Sequence, residues 1–410
     1  MQGPALGRLG GDMGQNTAIL DIGSSKIICL LCCSDGRDGF LVRGAGIREY
    51  DGYRDGRFLD AQQFSTALVE ALTMAEEEAK IRVRNLNIGV PAPFLKLIVH
   101  DGRVELGGRG KKVTMDTVDQ LIDVSLEFEQ PPGYALMHST PIEFDAGAGP
   151  RPEVPMGQAA PFLSAPVSHV YVQEDLKSLI SASLDKVGLD ADMYIGVPLS
   201  SGLFVIPPAE RMDCAVLIDV GARHTDLSLL RGNALVACES IPVGGGHFTG
   251  DLAYAFGISR SAAESIKRRY VFSLDYQDSI DTVRIPSGGT LRVEHAAIQY
   301  ILEARAKELV ELIRGRLGEM GVQLTKRLPV YLTGGGVTLM RGSCEFMEKE
   351  LGIPIKVRMP WMPRLSSPNY ASAFSVMDFV LHAGEGEGRL EGMDFQNGIF
   401  KKLRGFFSNR

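Results

Sequence analysis

An excess of positive charge is missing from this chain. Its 410 residues carry 50 acids against 43 bases, a formal charge of −7, which argues against an extended nucleic-acid surface. Long hydrophobic runs are missing too. The longest, Ile27 to Cys33, falls far short of the ~20 residues that a membrane-crossing helix needs. Cysteine is scarce: six in the whole chain cannot build a disulfide scaffold. Cys29 and Cys32 do form a C-x-x-C. Strand alternation in KIICLLCC points Cys29 and Cys33 one way and Cys32 the other, and no His or Cys cluster supplies two further zinc ligands. Core cysteines are the expectation. The seven histidines are scattered with no H-E-x-x-H. The first fifteen residues are Gly-rich and lack an apolar segment, so no secretory signal is indicated and a cytoplasmic location is expected.

What is present is an ordinary globular composition, 45% apolar and 23% charged, long enough for two or more compact units. Strand-like and helical runs alternate, the rhythm of an α/β protein. TAILDIG reads as a strand ending in a tight turn, with SKIICLLCC returning as its hairpin partner. Behind an Asp60 N-cap, Phe64, Ala67, Leu68, Ala71, Leu72 and Ala75 recur at helical spacing. Between Gly89 and about Pro166 the texture changes to Pro/Gly-rich stretches with one helix near 114–128, which suggests a smaller inserted unit. The α/β rhythm then resumes. A long amphipathic helix is predicted over 296–318, and AGEGEGRLEGM at 383–393 reads as a flexible linker.

The informative feature is an internal repeat. AVLIDVGARHTDLSLL at 215–230 restates TAILDIGSSKIICLL at 17–31. In each, an apolar strand ends in Asp, then Ile or Val, then Gly, followed by a polar loop and a second apolar strand. Asp21 and Asp219 are the matching residues. Such duplication predicts two similar half-domains facing each other across a cleft. Glycine-permitted turns let backbone N–H groups approach a phosphate chain, Lys26 adds charge, and the paired acids suit Mg²⁺ held through water. A third element, LPVYLTGGGVTLMRG at 328–342, runs a buried strand into Gly334, Gly335 and Gly336. Three successive glycines allow close approach to a flat or charged ligand part.

Two phosphate-type loops followed by a strand–GGG loop resemble the superfamily of actin, the heat-shock chaperone ATPases and the sugar kinases. Within it the chain is similar to the FtsA family of bacterial cell-division proteins. GGGHFTGDLAYAFGISRSAAESIKRRY at 244–270 carries that resemblance most specifically, and the inserted unit fits the family as well. The resemblance implies an actin-like ATPase fold: two duplicated half-domains around a nucleotide cleft, with an FtsA-type inserted subdomain. Its expected divisions are a tail over 1–15 and a first half over 16–88 and 169–200, to which 345–382 returns. The insert spans 89–168. A second half spans 201–344, including a 246–318 subdomain.

By position, the resemblance matches Asp21, Gly23, Ser24, Ser25 and Lys26 to the first phosphate loop and Asp219 and Gly221 to the second. Glu264 and Lys267 match the helix that grips the nucleoside, and Gly334 to Val337 match the adenosine loop. Without the resemblance, Glu264 and Lys267 read as a solvated helix face. The implied cofactors are ATP and Mg²⁺. The implied partners are the C-terminal peptide of the tubulin-like protein FtsZ, further copies of the chain as a polymer, and later division proteins through 89–168. The implied location is the cytoplasmic side of the inner membrane at the septum. A sugar or acyl kinase on the same fold is the alternative.

The second loop departs from the family's D-x-G-G-G-T pattern, with Ala222, Arg223 and His224 in place of Gly, Gly and Thr. A Cβ at Ala222, and a long side chain at Arg223, obstruct backbone approach where φ must be positive; the alternative is that Arg223 neutralises phosphate charge directly. His224 in place of the family's Thr removes a water-positioning residue, so weak ATP turnover at most is expected. One element needs no resemblance. In DFQNGIFKKLRGFFSNR, residues 394–410, a helical wheel gathers Phe395, Ile399, Phe400, Leu403, Phe406 and Phe407 within an arc of roughly 140°. Lys402 and Arg404 flank it and Lys401 lies opposite. This predicts an amphipathic helix lying on an anionic membrane surface.

Overall fold

The computed structural model describes residues 16–34, 40–107, 111–274, 279–284, 289–358 and 367–384. The membrane-helix residues Phe395, Ile399, Phe400, Lys401, Lys402, Leu403, Arg404, Phe406 and Phe407 lie outside them, as do the 1–15 tail and the 385–393 part of the linker.

Two five-stranded sheets carry the repeat. In the first, the hairpin Asn16–Ile22 and Lys26–Ser34 is followed by Phe40–Glu49, all antiparallel. Asn85–Val90 then pairs parallel with the first strand, and Asp190–Gly196 parallel with Asn85–Val90. In the second, Ala215–Val220, Thr225–Arg231 and Ala234–Ile241 form the same antiparallel run. Val330–Thr333 and Lys356–Val357 add on in parallel on the other side. The duplication visible in one hairpin therefore extends to the strand order of both sheets.

Both faces of the first sheet are buried, which is why its strands read as unbroken apolar runs rather than alternating ones. Leu20, Ile22, Cys29 and Leu31 pack on the helix Ala61–Ala79 through Phe64, Leu68, Ala71 and Leu72. Ile19, Ile28, Leu30 and Cys32 face the helix Ala371–Gly384 through Phe374, Val376 and Met377. Cys29 and Cys32 therefore lie on opposite faces, both buried and both free. Helix Ala61–Ala79 starts where its N-cap predicts: Asp60 Oδ1 accepts from the backbone N–H of Gln62 and of Gln63, both at 2.9 Å. The second sheet packs Val216, Ile218 and Leu227 against the long helix His295–Glu319, through Leu302, Leu309 and Ile313.

The inserted unit is a three-stranded antiparallel sheet, Leu95–Glu105 and Tyr134–Pro141 flanking Phe162–Gln173, with the helix Met115–Ser125 on it. Its long central strand runs unbroken past 168. Leu163, Ala165 and Val167 serve the core of the insert, and Val170 and Val172 serve the core of the first half. Glycine and proline mark the loops between strands, but they carry no mark of a strand shared by two cores. None of the described helices is long and apolar enough to cross a membrane.

Candidate functional site

The two hairpin turns close in the same way. Gly23 N–H donates to Lys26 O at 3.0 Å, and Gly221 N–H donates to His224 O at 2.9 Å. The turn folds the chain back within four residues and leaves the Asp two places earlier at the end of each strand. Lys26 and His224 are thus structural equivalents. The Gly334 loop lies against the second of these turns. Gly334 has φ +85°, and a Cβ there would collide with Asp219 Oδ1 and Val220 O; one on Gly336 would collide with Gly221 O. Gly336 N–H donates to Val220 O at 2.7 Å. The glycines thus let one backbone pack directly on another, whatever they also offer a ligand.

These segments line a cleft of about 2070 Å³ that runs between the two halves. Asp21, Gly23, Ser24, Ser25, Lys26, Asp219, Gly221, Glu264, Lys267, Gly334, Gly335 and Gly336 all line it. Val337 does not: it is buried in the core of the second half. Residues far apart in sequence thus share one wall, as a single ligand would require.

Asp21 and Asp219 are the electrostatic centre. Burial pushes Asp21 up to about 6, against the opposing Ser372 hydrogen bond and Lys26 charge. Burial, reinforced by Asp226, pushes Asp219 up to about 7. Two hard-oxygen groups held away from their charged forms mark a place short of positive charge, which suits a divalent cation. Among the described residues no three His, Cys, Asp or Glu side chains are grouped to hold a metal by themselves. The donor set therefore fits Mg²⁺ bound by one or two carboxylates, with water and ligand oxygens completing the shell.

Glu264 and Lys267 are not a solvated face. Lys267 is 5% exposed, and its Nζ donates to Gly245 O and Thr249 Oγ1, both at 3.1 Å, while pairing with Glu264 Oε2 at 2.7 Å. Burial opposes the charge on Glu264, but bonds from Lys267, Thr249 and Arg268 outweigh it and hold the carboxyl at about 2. The pair fixes helix Arg260–Arg269 to helix Gly245–Phe256 at the cleft wall.

In the second loop, Ala222 and Arg223 adopt no positive φ, and the residues standing for the family's glycines are unstrained. His224 Nε2 lies 3.1 Å from Asp226 Oδ2, whose other oxygen accepts from Ser240 Oγ at 2.7 Å. Burial disfavours the imidazolium, yet Asp226 more than offsets this and raises the His224 pKa.

One wall of the cleft escaped the sequence reading. Ser372 Oγ donates to Asp21 Oδ2 at 2.6 Å, and the Lys26 ammonium sits 4.6 Å from the Tyr370 ring centroid. Asn369 Oδ1 is buried with no hydrogen-bond partner among the described residues, as is Thr333 Oγ1 just before Gly334. The available signal was the polar SPNYAS opening an otherwise apolar helix. Tyr50 also belongs here, donating to Gly23 O at 2.7 Å.

Solved structures identify the fold class. The type IV pilus PilM–PilN complex matches with a TM-score of 0.58 at 19% identity, over 88% of this chain and 97% of that one. MreB5 of Spiroplasma citri bound to AMPPNP matches at 0.54 and 13% identity, over 89% and 96%. The fold is that of the actin-like ATPases. The model of the family "Cell division protein FtsA" matches residues 216–375. FtsA of Neisseria meningitidis is 25% identical over 89% of each chain. These matches support an FtsA-type cell-division protein with an actin-like fold.

The raised carboxyls give a pH prediction with a definite sign. A carboxyl whose folded pKa exceeds its unfolded value, 3.8 here, stabilises the fold below about pH 4 and loses that contribution as pH rises through the folded pKa, about 7 for Asp219. His138 and His169, pushed down to about 4 by burial, act in the opposite direction between pH 4 and 6.5. The readout must therefore be a difference. Melting of ligand-free Asp219→Asn minus that of the unaltered protein should grow in favour of the variant from pH 5 to 8, by about 2–4 kcal/mol at most. A difference independent of pH would contradict the raised pKa of Asp219.

Proposed function

We propose that the cleft binds ATP with Mg²⁺, and that the protein polymerises and tethers FtsZ to the cytoplasmic face of the inner membrane. The observation carrying this reading is the convergence on one cleft of both duplicated turns, the Gly334–Gly336 loop and the Glu264–Lys267 pair. The nucleoside would lie by Gly334–Gly336 and helix Arg260–Arg269. The polyphosphate would run to Ser24, Ser25 and Lys26, and the carboxylates of Asp21 and Asp219 would hold the cation. When bound, Mg²⁺ would neutralise charge between those carboxylates and the phosphates. AMPPNP in the MreB5 structure supports nucleotide as the ligand class.

ATP turnover in this reading is weak at most, because His224 is committed to Asp226 where the family has a threonine. The alternative, a sugar or acyl kinase, requires an acid positioned over a substrate pocket and has no use for an amphipathic terminal helix. Later division proteins would bind the insert at 89–168. Replacing Lys26 by Ala should weaken ATP binding by about 1–3 kcal/mol, the scale of a lost charge-assisted contact. Calorimetry giving the same ATP affinity for both proteins would sink the nucleotide assignment.

The partner assignment rests on the resemblance to the FtsA family, and it places the FtsZ C-terminal peptide on the 246–318 unit. Charge at the cleft-side end of that unit lends it little, since Lys267 and Arg268 pair with Glu264 and Arg269 pairs with Asp281. Fluorescence anisotropy with the labelled peptide should show saturable binding; a flat titration rejects the tether.

The membrane assignment rests on the 394–410 pattern. Each base beside an anionic leaflet adds about 1 kcal/mol, and partial burial of the phenylalanines adds several times that. Ordering a short helix that includes Gly398 and Gly405 opposes this, so one tail binds weakly and a polymer of tails binds strongly. In co-sedimentation with anionic vesicles, Phe407→Glu and a chain stopped at Met393 should stay in the supernatant. Pelleting at the level of the intact protein would mean the anchor lies elsewhere.

A further inference from the structure

The insert is fastened to both halves. Along its central strand Phe162–Gln173, Leu163, Ala165 and Val167 face the insert's own helix, and Ser168, Val170 and Val172 share the other side. Val170 and Val172 enter the core of the first half. Ser168, 1% exposed, instead donates from Oγ to Leu235 O at 2.5 Å, on the edge strand of the second sheet. Leu97, opposite Val170 on the neighbouring strand, packs against the core of the first half and also against the cluster of Leu217, Leu235 and Tyr331 in the second. At the hairpin tip before Leu235, Arg231 Nη2 pairs with Glu143 Oε2 of the insert at 2.8 Å. That tip is rigid. Buried Arg211 donates to Gly232 O and Asn233 Oδ1, both at 2.8 Å, and to Ile206 O at 2.6 Å. Ile206 ends the helix Val197–Val205, which carries the chain from the first sheet to the second.

We propose that Glu143 and Arg231 form a latch that couples the insert to the cleft between the half-domains. Arg231 moves with the second half, because Arg211 ties its hairpin tip to the connecting helix. Glu143 moves with the insert, whose central strand is rooted in the first half. The pair is therefore strained by motion of one half relative to the other. Ser168 is enclosed and Leu97 half-buried, and they hold the insert against both cores. The Glu143 and Arg231 side chains, 20% and 44% exposed, are the part of the fastening that solvent reaches, so they are the part that releases. Coupling of this kind is reciprocal. Whatever draws the halves together strengthens the latch, and a change of charge at the latch alters the cleft, whatever ligand the cleft takes.

The test is hydrogen exchange on the full, ligand-free chain, with Glu143→Arg, Arg231→Glu and the two changes together. Each single change should speed exchange about two- to fivefold beside the pair. It should do the same in peptides covering 22–26 and 221–225, where the two halves meet through the Arg223 N–H bond to Ser24 Oγ. The double variant restores the pair with its signs reversed and should return those distant peptides to the unaltered rate. Acceleration confined to 141–145 and 229–233 makes the pair a local surface contact and overturns the inference. So does a double variant that exchanges as fast as the singles at the distant peptides. Should a single variant fold poorly, salt asks the same question of the unaltered protein. Raising it to about 0.5 M screens the pair and should speed the distant peptides, with no such effect in Glu143→Gln. An equal salt effect in both proteins, or none in either, means that the insert and the cleft are not coupled through this pair.

Discussion

The site depends on one backbone hydrogen bond made twice, from Gly23 to Lys26 O and from Gly221 to His224 O. Each closes a turn so tight that the strand before it must end at the cleft, with an Asp as the last side chain but one. The strand is buried on both faces, so the Asp cannot find bulk water by swinging away. It is held in a low-dielectric position that raises its pKa above the ordinary carboxyl value. The remaining walls follow from the same turn. The Gly334 loop can approach only because Gly334 and Gly336 present no Cβ to the backbone of 219–221. Ser372 and Tyr370 then dock on Asp21 and Lys26 from the opposite side.

Charge in the cleft is divided into groups that are satisfied and groups that are not. Glu264 is bonded by Lys267, Thr249 and Arg268 and is held at about 2. That set ties two helices together and leaves little charge to offer a ligand. Asp226 is likewise engaged, by Ser240 and His224. Asp21 and Asp219, with pKa values of about 6 and 7, are the carboxyls whose environment does not compensate their charge. Perturbation of this type, in a cleft and with a stated cause, distinguishes groups waiting for a ligand from groups that build structure.

Much of this was legible in the chain. The Asp–x–Gly repeat identified both turns and both acids, because a hairpin turn is a local event written in four residues. The Asp60 cap and the apolar spacing after it gave helix Ala61–Ala79. Three things were hidden, each for a physical reason. Lys267 looks solvated because its burial is created by Gly245 and Thr249 on another helix. The wall of Asn369, Tyr370 and Ser372 carries no periodic signal, and only the fold brings it to Asp21. The strand Phe162–Gln173 serves two cores, and alternation reports that a face is buried without reporting against what.

The altered second loop shows how a turn can be kept while its neighbours change. The family's glycines suggest positive φ at 222 and 223, yet neither residue adopts it here, so substitution cost the turn nothing. What changed is the surface each position presents. The backbone N–H of Arg223 is bonded to Ser24, and the imidazole of His224 lies between Asp226 and Tyr53. The hairpin, the Asp219 position and the packing of Gly336 on Gly221 are untouched, since all three are set by Gly221 and the strand before it. Side chains at the junction of the two loops can therefore change while the geometry that joins the half-domains stays fixed.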